Sequence, residues 1–157
     1  GLIVLAKNAL SAGLLTAQAS QKVMRHTYLA VCKGALPTNG TIDAPIARAQ
    51  DSAIGRIVHM DGDHAVTHYE RLCTQDGYSL ARVWLETGRT HQIRVHFAHI
   101  GHPLPGDFLY CPDFSRIDRH ALHAHTLTLR QPITGEALSF TCPLPPDMQV
   151  FFPNFSL

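Results

Sequence analysis

The sequence has no long hydrophobic run. Its first apolar stretch, Leu2–Ala6, is too short for a membrane span or for the core of a signal peptide, and no basic segment precedes it. Cysteine is sparse: Cys32, Cys73, Cys111 and Cys142 lie far apart, with no C-x-x-C pair. Such spacing gives no sign of a stapled secreted framework and reads as a reduced, cytoplasmic protein with small half-buried thiols. Net charge is nearly absent, at +1, so no global basic field marks a nucleic-acid binder. Acids are missing from residues 1–42, where Lys7, Lys22, Arg25 and Lys33 stand alone. H-E-x-x-H, G-x-S-x-G and Walker A patterns are also missing. That removes the zinc-protease helix, the hydrolase nucleophile elbow and the phosphate loop.

What is there suits one folded domain. The chain has 157 residues, 45% of them hydrophobic, enough to bury a proper core. No repeat or low-complexity segment divides it, so residues 1–157 read as a single domain. "GLIVLA" reads as a buried strand entered from upstream, which makes that domain incomplete at its N-terminus. Ten of the 13 cations are arginines, the side chain suited to phosphate forks. They lean toward an anionic partner, although an arginine-rich composition explains them equally well.

Local pattern predicts the elements. Asn8 caps a helix running to about Met24, with Leu10, Leu14 and Ala17 on one face. "HTYLAVCKG" (26–34) reads as a strand, "ALPTNG" as a loop, and residues 41–55 as irregular. "GRIVHM" and "AVTHYERLCT" read as a hairpin about Asp61-Gly62, and "QDG" turns into "YSLARVWLE", extending a meander. A helix starts at Thr90 with Ile93, Phe97 and Ile100 inward, and ends at Gly101 and Pro103. A long Pro- and Asp-punctuated loop follows. "ALHAHTLTLRQP" alternates as a strand, a hairpin forms around Thr134-Gly135, and the tail holds one helical turn. Strands in runs, with few helices, predict α+β: a mainly antiparallel mixed sheet with two principal helices packed on it.

The chemically dense stretch is "ETGRTHQIRVH" (86–96). A turn through Gly88 into a helix capped by Thr90 leaves free amides and a positive dipole end, with Arg89 beside them. That is an anion site for a phosphate or carboxylate. Arg94 lies off the apolar stripe, on a donor-rich face where His99 and His102 read as solvated. Histidine is abundant, but His96, His99 and His102 do not stack on one helix face, and His120 faces away from His123 and His125. Zinc needs three or four convergent ligands, so these read as hydrogen-bonded structural histidines and no metal is expected. Asp107 reads as a turn former, and Tyr28 as a core residue with a satisfied hydroxyl.

Several stretches together resemble one family. "TGRTHQIRVH" (87–96), "GHPLPGD" (101–107) with Tyr110, "LHA" (122–124), "AVT-Y" (65–69) and "TYLAVCKG" (27–34) resemble the RNA pseudouridine synthases of the RluA type, in order and spacing. The resemblance implies the pseudouridine synthase catalytic fold. It also implies a reaction without a cofactor, in which a uridine of ribosomal or transfer RNA is flipped out and its glycosidic bond rearranged. It makes Tyr28 and Arg89 catalytic: Tyr28 stacks on the base and accepts the C5 proton, and Arg89 pairs with the catalytic aspartate. Leu122 would wall the pocket, with Thr90, His91, Gln92 and Arg94 lining the substrate surface. The aspartate belongs to an H-R-L-D-x-x-T-S-G motif whose last glycine aligns with Gly1, so it is expected upstream, and the present residues alone are expected to be inactive. A second departure is His26, where the family usually has Lys or Arg. The alternative is a non-catalytic RNA-binding domain using the same cationic features. The expected partner is structured RNA in either case, with no membrane; the oligomeric state is not legible.

Overall fold

The structure, a computed structural model, describes residues 1–50 and 52–156. Asn8 opens α1 (Ala9–Ser20) as predicted, its side chain accepting from the Ser11 amide at 2.9 Å. The inward face differs from the prediction. Leu10 and Leu14 remain exposed, and Leu15 packs on Leu127 and Leu129 instead. Residues 1–6 do not form a strand. The Leu2 amide donates to the Ala124 carbonyl at 2.9 Å, with Leu2 and Val4 turned toward the Leu15 cluster and Ile3 and Leu5 outward.

The remaining elements are β1 (Arg25–Lys33), β2 (Asn39–Asp43), β3 (Ile46–Arg48), β4 (Arg56–Val58), β5 (Val66–Gln75), β6 (Tyr78–Leu85), α2 (Gln92–His99), β7 (Leu122–Arg130), β8 (Ala137–Thr141) and α3 (Pro146–Gln149). The main sheet runs β2-β5-β6-β1-β7-β8, and all of its pairings are antiparallel. The α+β expectation is met. β1 is central, and its Leu29–Cys32 run is wholly buried. A strand covered on both faces reads as a continuous apolar stretch. One face packs Ala30, Cys32 and Val83 against Ile93 and Phe97 of α2. The other packs Leu29, Val31 and Leu80 against Met148, Phe151 and Phe152. All four cysteines are free thiols.

Two predicted connections differ. The stretch read as irregular over 41–55 holds the end of β2 and the whole of β3, whereas 49, 50 and 52–55 carry no helix or strand, as expected. The Asp61-Gly62 turn does not join a hairpin to β5, since β4 pairs with β3 and β5 with β2 and β6. Backbone packing explains this. Gly62 lies against the Ile46 carbonyl, where a Cβ would collide, and Ile46 and Asp63 exchange amide hydrogen bonds of 2.9 Å. The turn therefore folds the chain back onto β3. The predicted meander survives as the β5–β6 hairpin, where Asp76 (φ 50°) and Gly77 (φ 79°) supply the two left-handed residues of a tight turn.

β7 does not alternate cleanly either. Tyr28 pairs with Ala124 but Thr27 with Thr126, so His125 is one extra residue in β7. Paired residues share a face. The bulge thus lets Leu122, opposite Ala30, and Leu127, opposite His26, face the same side although they stand an odd five positions apart.

Candidate functional site

The site forms where β1 and β6 part. Their pairing ends at Thr27 opposite Trp84, one residue past Tyr28, which still pairs with Val83, and one short of Leu85. A cavity of about 360 Å³ opens there, lined by Tyr28, Leu85, Arg89, His91, Gln92, Ile93, Arg94, His120 and Leu122. Its volume lies near the lower end of the ~300–1,000 Å³ common for small-ligand sites. Leu85, Ile93 and Leu122 make an apolar floor, while Arg89, Arg94, His91 and His120 make a cationic and imidazole wall. Of the expected site residues, Tyr28, Arg89, His91, Gln92, Arg94 and Leu122 converge here; Thr90 does not. Thr90 is exposed and faces a neighbouring hollow.

The predicted Thr90 cap does not form. His91 stands at the cap position, in the left-handed region at φ 59°, with no side-chain cap hydrogen bond. A non-glycine residue there is strained by roughly 1–3 kcal/mol and needs support from its surroundings. Gln92 provides it. Its carbonyl oxygen accepts from the Arg89 amide and the Thr87 hydroxyl, each at 2.9 Å. Its NH₂ donates to the Val66 carbonyl at 2.9 Å and to the Thr67 hydroxyl at 3.1 Å. Thr87 in turn accepts from the Val66 amide. The Gln92 amide is consumed in pinning the 87–92 turn to β5, so Gln92 positions Arg89 through its backbone rather than offering donors to a ligand.

Arg94 is also consumed. Its guanidinium makes a fork on Asp107, with Nε to Oδ2 and Nη2 to Oδ1 both at 2.6 Å, and both side chains are buried. The rings of Phe108 and Tyr110 flank it at 5.6 and 5.2 Å. Burial alone would raise the Asp107 carboxyl pKa, but the Arg94 hydrogen bonds and the Leu109 and Tyr110 amides outweigh it and hold it below its ordinary value. The predicted turn role of Asp107 is present in those amides, whereas its pairing with Arg94 was not foreseen. The available signal was an arginine on a half-apolar helix, which demands a partner if buried. Gly106 (φ 72°) sits so close to the Arg119 carbonyl that a Cβ would clash, which fixes the loop presenting Asp107.

Arg89 is held loosely. Its Nε donates to the His64 carbonyl at 3.1 Å, its Nη1 lies 3.9 Å from Asp63, and its side chain is 41% exposed. It separates the cavity from the polar hollow at Thr90, lining both. Arg89 is therefore half-open and lines the same cavity as Tyr28. Burial pushes the Tyr28 phenol pKa up, so the hydroxyl is neutral at physiological pH, and His26 stacks on the ring at 5.9 Å. His91 and His120 are pushed down by burial first and then by the Arg94 charge, with Arg56 also acting on His91 and Arg119 on His120. The two imidazoles are thus biased to the neutral form, and with Arg94 paired to Asp107 the open positive charge of the wall rests on Arg89. Among the described residues, no carboxylate lines this cavity.

Four other histidines are spent on backbone carbonyls. His96 bonds Ala44, His102 bonds Lys33, and His123 and His125 share the Cys142 carbonyl. Thr67 links Gln92 to His96, completing a buried relay. Among the described residues, no group of three or more His, Cys, Asp or Glu side chains converges as a metal site. No described helix is long and apolar enough to cross a membrane. Sequence reasoning also missed Leu85 and His120, which only the end of the β1–β6 pairing and the return of the 103–121 loop bring to the cavity.

Comparison with known proteins accords with this geometry. Residues 1–99 match the RNA pseudouridylate synthase family. An uncharacterized RNA pseudouridine synthase of Bacillus subtilis (strain 168) is 42% identical over 149 residues, covering 94% of this chain and 53% of the relative. Ribosomal large subunit pseudouridine synthase D of Haemophilus influenzae is 40% identical, with coverage of 94% and 50%. The chain thus spans about half the length of these curated relatives. The solved structure of human RNA Pseudouridylate Synthase Domain Containing 1 superposes with a TM-score of 0.78 at 26% identity, over 92% of this chain and 65% of that one. A chain with these matches belongs to the RNA pseudouridylate synthase family.

Proposed function

We propose that the Tyr28 cavity receives a uridine extruded from structured RNA, ribosomal or transfer, and that the protein isomerises it to pseudouridine in the cytoplasm. Residues 1–157 act as part of one catalytic domain on this reading. The observation that carries it is the convergence of Tyr28, Arg89, His91 and Leu122 on a pocket with an apolar floor, a cationic wall and, among the described residues, no carboxylate. A pocket lined by the loosely held Arg89 suits an acid supplied from elsewhere. We assign that acid to the aspartate of the H-R-L-D motif, carried by polypeptide ahead of Gly1. Gly1 lies against the backbone of Ala124, the cross-strand partner of Tyr28, so such a segment would enter beside the cavity.

Each part then has a role. Arg89 pairs with the aspartate, favours its charged form and orients it. The aspartate acts as the glycosidic bond breaks, the uracil turns, and C5 joins the ribose. Leu85 and Leu122 wall the base, Tyr28 stacks on it, and no cofactor takes part. Extrusion costs a few kcal/mol of unstacking, which stacking and phosphate contacts offset. Gln92 and Arg94 hold this arrangement from behind. Tyr28 also accepts the C5 proton as phenolate. Because burial keeps the phenol neutral, turnover is expected to rise about tenfold per pH unit through neutrality when proton removal limits the rate. A flat pH–rate profile in single-turnover kinetics would assign Tyr28 to stacking alone.

The second reading, a non-catalytic RNA-binding domain, is favoured only by the absence of a carboxylate among the described lining residues. Tritium release from C5-labelled uridine in total cellular RNA separates the two. Release by the full polypeptide supports the synthase; none at saturating protein leaves RNA binding alone.

A further inference from the structure

The β3–β4 ribbon lies outside the main sheet and carries an arrangement its own stability does not explain. Arg48 and Arg56 face each other directly across its last pair. Like charges at such a position, with Cβ atoms ~4.5–5.5 Å apart, are destabilising. Among the described residues, neither guanidinium makes an ion pair. The ribbon is nonetheless firmly seated. Ile46 is buried with Ala65 and Val95, and the Arg56 amide donates to the Tyr110 hydroxyl at 2.9 Å. The Arg56 Nη1 donates to the Gly55 carbonyl at 2.9 Å, which sets the guanidinium direction and leaves its other donors available.

Both arginines open onto the polar hollow of about 490 Å³ that Arg89 also lines. Three guanidiniums face it, against the carboxylates of Asp61 and Asp63 on its rim. Those two acids are well exposed, and the nearest approach is the 3.9 Å contact of Asp63 with Arg89. The hollow therefore holds surplus positive charge on a rigid ribbon, one side chain away from the Tyr28 cavity.

We propose that Arg48 and Arg56 form a phosphate clamp that grips the RNA backbone next to the nucleotide seated at Tyr28. This rests on the Tyr28 cavity being the uridine site. A phosphodiester between the two forks relieves their mutual repulsion and offers charged acceptors, where among the described residues Arg56 has only the Ile54 and Gly55 carbonyls. Backbone gripping fixes register on the RNA without reading sequence. Arg89 is the shared wall, so the clamp holds the strand where it leaves the cavity.

The test is binding of a fluorescein-labelled single-stranded oligoribonucleotide containing uridine to the full polypeptide, across a salt series. The R48Q/R56Q variant is expected to bind about tenfold more weakly near 50 mM salt, with the slope of log affinity against log salt reduced by roughly 0.7, the share of one single-strand phosphate. R48K/R56K, which keeps the charge, is expected to restore the slope, so a variant damaged merely in folding is recognised. R130Q, at the far end of β7, is the control and is expected to bind as the parent does. Unchanged affinity and slope in R48Q/R56Q, an equal loss in R130Q, or no RNA binding by the parent protein overturns the clamp. Tritium release with unaltered R48Q/R56Q binding removes the clamp alone. Absent tritium release with the predicted binding loss removes the synthase reading and leaves the clamp.

Discussion

Two arginines five residues apart show the division of labour around α2. Arg94 is buried in a fork on Asp107, roofed by two aromatic rings, with its charge neutralised inside the fold. Arg89 stands half-exposed with one carbonyl contact and a distant carboxylate. The same residue type serves architecture in one place and is available for chemistry in the other, and partner geometry decides which. A buried pair is committed, because separating it strands a charge away from water. A half-open arginine beside a cavity loses little when it exchanges one weak partner for a better one.

The contrast breaks most visibly at Asp107. Asp107→Ala leaves Arg94 buried without its partner and is expected to destabilise the fold by about 3–5 kcal/mol. At roughly 2–4 °C per kcal/mol for a chain of this size, the melting temperature should fall by ~6–20 °C in calorimetry. A change under 2 °C would mean that Arg94 is not buried as described. Arg89→Lys should leave the melting temperature nearly unchanged while lowering turnover by about 100-fold, with RNA affinity almost intact, since lysine cannot reproduce a bidentate fork. Equal losses in turnover and affinity would reduce Arg89 to a phosphate contact.

Acidity sharpens the same contrast. His26, His91, His96, His120 and His123 all have pKa values held below the ordinary 6.5, with burial the first cause in each. A histidine depressed in the folded state binds its proton more readily when unfolded. Its stabilising share is complete above 6.5 and falls as pH drops through the folded value. Asp107, also depressed, adds a further loss only as pH falls below its ordinary 3.8. Urea titrations are expected to show stability falling in two stages, histidines first; constant stability from pH 7 to 4 would contradict the buried relay. The smallest effect belongs to Asp63→Asn. A carboxylate 3.9 Å from an open arginine contributes at most ~0.5 kcal/mol, so its melting curve should overlay that of the parent.

Much of this was legible in the sequence because the signals were local. Asn8, the "LAVC" run, Asp76-Gly77 and the Ile93–Phe97 spacing each fix an element through capping, burial, turn chemistry or helical period. The gathering of motif residues at Tyr28 followed from family resemblance and not from periodicity. What escaped was decided by tertiary contact. Asp61-Gly62 carries the same turn signal as Asp76-Gly77, yet the packing of Gly62 on Ile46 sends the chain elsewhere. Thr90 has good capping chemistry, yet Gln92 already holds the Arg89 amide. Arg94 looked like a surface donor because Asp107, its partner, lies 13 positions away behind a helix stop.

The extra residue in β7 has an evolutionary consequence. Because register on either side of His125 is already set by its neighbours, shortening the gene by that one codon would let the ladder close, sacrificing chiefly two bonds to Cys142. The same deletion at Leu127 would shift every later side chain by half a pleat and turn Leu129 from α1 toward the opposite side. Single-codon indels in this strand should therefore be tolerated at the kink and purged beyond it.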